Sequence, residues 1–171
     1  MCGIVGALAR RDITSVLVQG LQRLEYRGYD SAGVAVIDDK GNIQHRKTQG
    51  KVKNLERLIE QQPLSGQCGI SHTRWATHGV PSKENAHPHV CHNEIALVHN
   101  GIIENHELLR QQQLDAGHEF DSQTDTEVIV HAVYDHWKQS GDLLDAVQQT
   151  TKILEGAYAL GVVETANNKR L

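Results

Sequence analysis

Gly33-Val34-Ala35-Val36-Ile37-Asp38-Asp39-Lys40-Gly41-Asn42-Ile43-Gln44-His45-Arg46-Lys47 places two strand-forming runs on either side of a cluster of turn residues. Runs joined this closely pair antiparallel, because a parallel partner needs a crossover of about a dozen residues or more. The hairpin therefore argues against strict βαβ alternation. Upstream, Gly3 to Ala9 is a short apolar run that reads as a buried strand. Asp12 then opens a helical pattern through Leu24, with Val16, Leu17, Leu21 and Leu24 at 3–4 spacing. Downstream, a short helix is predicted from Asn54 to Gln61, stopped by Pro63. Cys68 to Thr73 and Glu94 to His99 read as strands, with a polar loop from His78 to Pro88 between them. Helices follow over about 105–116, 125–139 and 142–154, and Ala157 to Val163 reads as another strand, of the core by its apolar run. This order of hairpins and helix pairs predicts an α+β fold in layers, with largely antiparallel sheets.

Composition narrows the function classes. The 171 residues suit a single domain, long enough to bury roughly 70% of the unfolded surface without disulfides. Seventeen Lys+Arg stand against 21 Asp+Glu, and the basic residues are scattered in pairs such as Arg10-Arg11 and Lys169-Arg170. No nucleic acid partner is expected from such a surface. The apolar run from Gly3 to Ala9 is too short to span a bilayer and has no signal-peptide character, so a cytoplasmic protein with no membrane association is expected. Cys2, Cys68 and Cys91 are an odd number without C-x-x-C spacing, which fits a reducing compartment. Gly3-x-x-Gly6 lacks the lysine and third glycine of a phosphate loop, and no cofactor is expected.

Cys2 directly follows Met1. Removal of the methionine would leave one residue carrying a thiol nucleophile and, on its own backbone, an amine able to act as its base. Both groups titrate near neutrality, with reference pKa values of about 8.5 and about 7.7–8.0. From position alone, the commoner fate of such a cysteine is a small buried hydrophobe at the start of a strand. Two rival sites also exist. Cys68 or Cys91 could be activated by His72, His78 or His99 in a Cys-His hydrolase, and His87, His89, Cys91 and His92 could suggest a metal-binding module. Their spacing matches no structural zinc pattern, and strand alternation sends His92 away from the other three, so no metal is expected.

Cys2-Gly3-Ile4-Val5-Gly6 and Leu24-Glu25-Tyr26-Arg27-Gly28-Tyr29-Asp30-Ser31-Ala32-Gly33 resemble the start of class II glutamine amidotransferases. Ser71-His72-Thr73-Arg74-Trp75-Ala76-Thr77-His78-Gly79, His99-Asn100-Gly101-Ile102-Ile103-Glu104-Asn105 and Thr124-Asp125-Thr126-Glu127 continue the resemblance in the family's order. The Tyr-Arg-Gly-Tyr-Asp-Ser wording looks like the branch that delivers ammonia to fructose 6-phosphate, whereas relatives that feed ammonia to phosphoribosyl pyrophosphate or aspartate typically carry a His-Arg-Gly version. The resemblance runs from residue 2 to about residue 163. It implies the four-layer αββα sandwich of N-terminal nucleophile hydrolases, with L-glutamine as substrate and Cys2 as nucleophile.

The motif residues suit that chemistry to different degrees. Arg74 matches a carboxylate as a two-pronged donor, and the resemblance places it with Trp75, Thr77 and His78 on a loop that folds over glutamine. Asp125 would hold the substrate ammonium, and the same stretch reads as a capping box, with Thr124 as N-cap and Glu127 three residues on. Asn100-Gly101 could be an ordinary turn or a pair of oxyanion donors. The resemblance assigns it to the oxyanion site, and Arg27 and Gly28 to the wall around Cys2. It further implies a sugar isomerase domain as partner, absent here, and a homodimer for the full-length enzyme. The strand at Ala157 to Val163 has no hairpin partner after it, so residues 2–171 are expected to be an incomplete glutaminase domain, truncated at its C-terminal end. Low turnover and a poorly ordered loop from Arg74 to Gly79 are expected to follow.

Overall fold

The computed structural model describes residues 2–27, 29–75 and 80–166, with Arg27 described by its backbone only. Its first strand, β1 (Gly3–Leu8), is followed by helix α1 (Thr14–Leu24) and a 3-10 turn, Glu25–Arg27. The expected hairpin is β2 (Ser31–Ile37) with β3 (Ile43–Gln49), antiparallel in the register Ile37↔Ile43. Helix α2 (Val52–Gln61) and strand β4 (Cys68–Arg74) come next, then β5 (His89–Cys91) and β6 (Ile95–Ile103). Helices α3 (His106–Asp115), α4 (Thr126–Ser140) and α5 (Leu143–Thr151) lead into β7 (Gly156–Glu164). The strands form a four-stranded sheet in the order β1-β4-β2-β3 and a three-stranded sheet in the order β5-β6-β7, every pairing antiparallel.

Alternation along the strands stacks these sheets in four layers. In β2, Val34 and Val36 join Leu17, Leu21, Val52 and Leu55 in a core beneath α1 and α2. The intervening Ala35 and Ile37 face the other way and meet Cys68, Ile70, Ala96, Val98 and Val163 between the sheets. In β6, Ile95 and Leu97 pack against α4 and α5 through Val128, Ile129, Val133 and Ala146. Strands apolar on both faces are what a sheet covered on both sides requires.

Several boundaries differ from the sequence reading. Asp12 lies outside α1, where its carboxylate accepts hydrogen bonds from Thr14 and the Gly66 N–H and ties the helix start to the approach to β4. Helix α2 starts earlier than predicted because the Glu25 carboxylate accepts from the Val52 N–H at 2.7 Å. Strand β5 has three residues, too few to show a period in sequence. The core strand predicted at Ala157 to Val163 is instead an edge strand: β7 pairs with β6 alone among the described residues, and only its Val162–Glu164 end is buried. No helix among the described residues is long and apolar enough to cross a membrane.

Candidate active site

The inter-sheet layer is apolar through most of its length and turns polar at one end. Ile4 in β1, Ile70 in β4 and Val98 in β6 face the gap between the sheets. Two residues along each strand, on the same face, stand Cys2, His72 and Asn100. The pairing Gly3↔Thr73 sets Cys2 across from the end of β4, where its Sγ accepts from the Trp75 N–H at 3.2 Å. Asn100 Nδ2 donates to the Cys2 carbonyl at 3.3 Å, and Asn100 Oδ1 accepts from His72 Nε2 at 2.8 Å. Burial pushes the His72 imidazole down to about 4, so it is neutral near pH 7 and supplies that N–H.

Arg74 ends β4, 4% exposed, with its guanidinium 3.6 Å from the Asp30 carboxylate. Asp125 precedes α4, and its Oδ2 accepts from the Ile103 N–H at 2.9 Å. These groups converge on a cavity of about 640 Å³ whose lining includes Cys2, Arg74, Trp75, Asn100, Gly101 and Asp125. Trp75 is exposed at its rim. The arrangement offers a thiol, an amide donor beside it, and one cationic and one anionic side chain, which together suit a small zwitterion bearing a carbonyl.

Residues 72–171 match the glutamine amidotransferase domain. The chain belongs to the glutamine amidotransferase family. Over all 171 residues the amidotransferase is 55% identical to the glutamine–fructose-6-phosphate aminotransferase (isomerizing) of Legionella pneumophila and 55% identical to that of Pseudomonas putida. It spans 28% of the length of each of these relatives. Among solved structures it is similar to a glutamine phosphoribosylpyrophosphate amidotransferase from B. subtilis, complexed with ADP and GMP. The TM-score is 0.80 at 29% identity, over 96% of this chain and 35% of that one. An allosteric regulatory enzyme of purine biosynthesis gives a TM-score of 0.76 at 31% identity, over the same shares of the two chains. The fold is the four-layer αββα sandwich of the N-terminal nucleophile amidotransferases that the sequence motifs imply.

The structure brings Cys2, Arg74, Trp75, Asn100, Gly101 and Asp125 of the amidotransferase to one cavity. Gly28, Thr77, His78 and the Arg27 side chain lie outside the described residues, as does the Ala76–Gly79 part of the expected loop. Gly101 is explained by backbone packing: its φ is +130°, and a Cβ there would stand 2.2 Å from the Ala157 carbonyl oxygen of β7. The capping box is corrected. Asp125, not Thr124, sits at the N-cap of α4. Glu127 turns away to accept from the N–H groups of Asp121 and Ser122 and from the Ser122 hydroxyl.

A buried layer of hydrogen-bonded histidines lies at the cavity. Thr126 Oγ1 contacts His87 Nε2 at 2.7 Å and His99 Nδ1 at 2.9 Å, and Thr124 Oγ1 contacts His89 Nε2 at 3.0 Å. Burial holds His87 and His89 well below the usual histidine range, so they serve as neutral hydrogen-bonding groups. The candidate module at residues 87–92 does not assemble. His92 has φ +50° in the turn after β5 and stacks on Tyr134, while Cys91 points to α4. The Cys-His hydrolase alternatives are not favoured. Burial raises the Cys68 thiol to about 11 and the Cys91 thiol to about 12, opposite to the shift an activated nucleophile needs.

Proposed function

We propose that this domain hydrolyses the carboxamide of L-glutamine to glutamate and ammonia through a thioester on Cys2. The observation that carries this reading is the convergence of Cys2, Asn100, Arg74 and Asp125 on one cavity. Once Met1 is removed, the free amine of Cys2 takes the thiol proton, through a water molecule, as Sγ attacks the carboxamide carbon. Asn100 Nδ2 and the Gly101 N–H stabilise the resulting oxyanion. The Cys2 ammonium returns that proton to the leaving nitrogen as the tetrahedral intermediate collapses with release of ammonia. The freed amine then activates a water molecule that cleaves the thioester to give glutamate and restore the thiol. Arg74 grips the substrate carboxylate and Asp125 its ammonium, and the motif resemblance assigns Trp75, Thr77, His78, Arg27 and Gly28 to substrate binding as well. No cofactor enters the chemistry.

The 55% identity to isomerizing aminotransferases supports the further reading that the ammonia serves fructose 6-phosphate, yielding glucosamine 6-phosphate. A sugar isomerase domain beyond residues 2–171 would carry out that step. The same reading includes a cytoplasmic location and a homodimer for the full-length enzyme. Treating the processed chain with an electrophilic glutamine analogue and mapping the adduct tests the site. One equivalent on Cys2, with Cys68 and Cys91 unmodified, is expected. An adduct on Cys91 would overturn the assignment.

A further inference from the structure

Away from the cavity, three potential ligands from separate parts of the chain meet on the far side of α4. Cys91 ends β5, His118 lies in the connection between α3 and α4, and His131 sits in the second turn of α4. One donor atom from each lies within 4.8 Å of the others, and Cys91 Sγ is 3.3 Å from His131 Nδ1. Bonds of about 2.0–2.3 Å to a tetrahedral ion put its donors about 3.3–3.8 Å apart. The observed spacing therefore needs only a small contraction.

The surroundings fit a cation. His131 is buried, with Cys91 Sγ at its Nδ1, a hydrogen bond to the Glu119 backbone and Glu127 Oε1 4.0 Å from its Nε2. Asp135 holds His118 through Nε2 at 2.9 Å, the carboxylate–histidine pairing that orients metal ligands. A cavity of about 430 Å³, lined by Cys91, His118, Glu127 and His131 among others, gives a path from solvent.

We propose that Cys91, His118 and His131 form a binding site for a borderline-soft divalent transition ion of the zinc class, with water as fourth ligand. On binding, the Cys91 S–H bond breaks, a sulfur–metal bond forms and the proton leaves to solvent; no electron is transferred. The ion ties β5, the 116–125 connection and α4 together. It thereby clamps the helix whose first turn carries Thr126 and follows Asp125.

Titration of the full chain with Co(II), and competition by Zn(II), tests the site directly. One equivalent of Co(II) should bind with thiolate-to-cobalt charge-transfer absorption that Zn(II) abolishes. The signal should persist in Cys2→Ala and vanish in Cys91→Ser. His118→Gln, at a partly exposed connection, should lose it while keeping the wild-type circular dichroism, so that loss of signal is separated from loss of fold. Asp135→Asn should weaken binding by about ten- to a hundredfold. Absence of the band in the wild type, or its survival in Cys91→Ser or in folded His118→Gln, would overturn the proposal. Labelling of Cys2 by the glutamine analogue is independent of every one of these outcomes.

Discussion

His72 Nε2 stands 2.8 Å from Asn100 Oδ1 and fixes which end of that amide faces Cys2. A neutral histidine that donates leaves the Asn100 oxygen only one role, so the Nδ2 donor is turned toward the nucleophile without reorganisation. Asn100→Ala should lower kcat of glutamine hydrolysis by about 10²–10³-fold, with KM nearly unchanged. His72→Leu should also act on kcat, less severely, because the amide survives but loses its orientation. Steady-state kinetics decide the point: a rise in KM alone for Asn100→Ala would remove it from the oxyanion site.

The proposed base is the amine of Cys2, so it exists only after Met1 has gone. A chain with Met1 retained, or with a fused N-terminal tag, should fold and show no glutaminase activity. Cys2→Ala should behave alike, and none of the three changes should shift the thermal midpoint by more than a few degrees. Intact mass identifies the processed form, and an ammonia-release assay reads the activity. Normal turnover by an unprocessed chain would exclude the mechanism.

Much of this site was legible before the fold was known, because alternation carries it. Once β1, β4 and β6 are recognised as strands, Cys2 shares a face with Ile4, His72 with Ile70, and Asn100 with Val98. What was not legible depends on pairings distant in the chain. The Thr124 to Glu127 stretch fits a capping box locally, but Glu127 is recruited by Asp121 and Ser122, and Asp125 by Ile103. Of the residues that suggested a metal at 87–92, His87 and His89 join a polar layer with Thr124 and Thr126 at the start of α4. His92 stacks on Tyr134, and Cys91 alone meets His118 and His131. The spacing of Cys91, His118 and His131 follows no local motif. Strand β7 read as core from its apolar run, which shows composition and not which face is covered.

Arg74 and Asp125 each have a protein partner in addition to their proposed substrate contact. Arg74 faces Asp30 at 3.6 Å, so Arg74→Ala removes a substrate grip and also leaves a mostly buried carboxylate without this cation. It should weaken glutamine capture by about 2–5 kcal/mol in kcat/KM and lower stability as well. Asp125→Asn keeps an oxygen to accept from the Ile103 N–H. It should lose a similar amount of kcat/KM with little change in unfolding midpoint. Denaturant melts beside the kinetics separate the two cases, and equal destabilisation by both variants would argue against this division of labour.

Acid should unfold the domain in two stages. Burial depresses His72 and His131 to about 4 from an ordinary value of 6.5, and it holds His87 and His89 well below that ordinary value too. Between about pH 6.5 and 4 the unfolded chain therefore binds protons that the native state refuses. Stability falls as pH falls through that window, by up to about 1.4 kcal/mol per pH unit for each such histidine. A second loss follows at lower pH from Asp12, whose burial raises its pKa less than the hydrogen bonds from Gly66 and Thr14 lower it. Urea midpoints measured from pH 7 to pH 3.5 should decline already above pH 5. A flat profile down to pH 4 would show that these imidazoles are not held neutral.

Gly101 separates backbone strain from close packing. Its φ of +130° is shared in kind by Gly117, whose φ is +94°, but their surroundings differ completely. A Cβ at Gly117 would meet nothing within 4 Å, whereas one at Gly101 would stand 2.2 Å from the Ala157 carbonyl oxygen and 2.7 Å from Tyr158 Cα. Gly117→Ala should therefore cost only the conformational penalty, about 1–3 kcal/mol. At Gly101 the colliding atoms are backbone, so no side chain can move aside, and β7 must separate from β6 or the Asn100–Gly101 peptide must turn. Either movement displaces Asn100 from the Cys2 carbonyl. Gly101→Ala should thus exceed the Gly117→Ala loss in unfolding free energy and also lower kcat, while Gly117→Ala leaves kcat intact. Equal destabilisation by the two substitutions, with full turnover in Gly101→Ala, would show that the β6–β7 contact does not position the oxyanion donors.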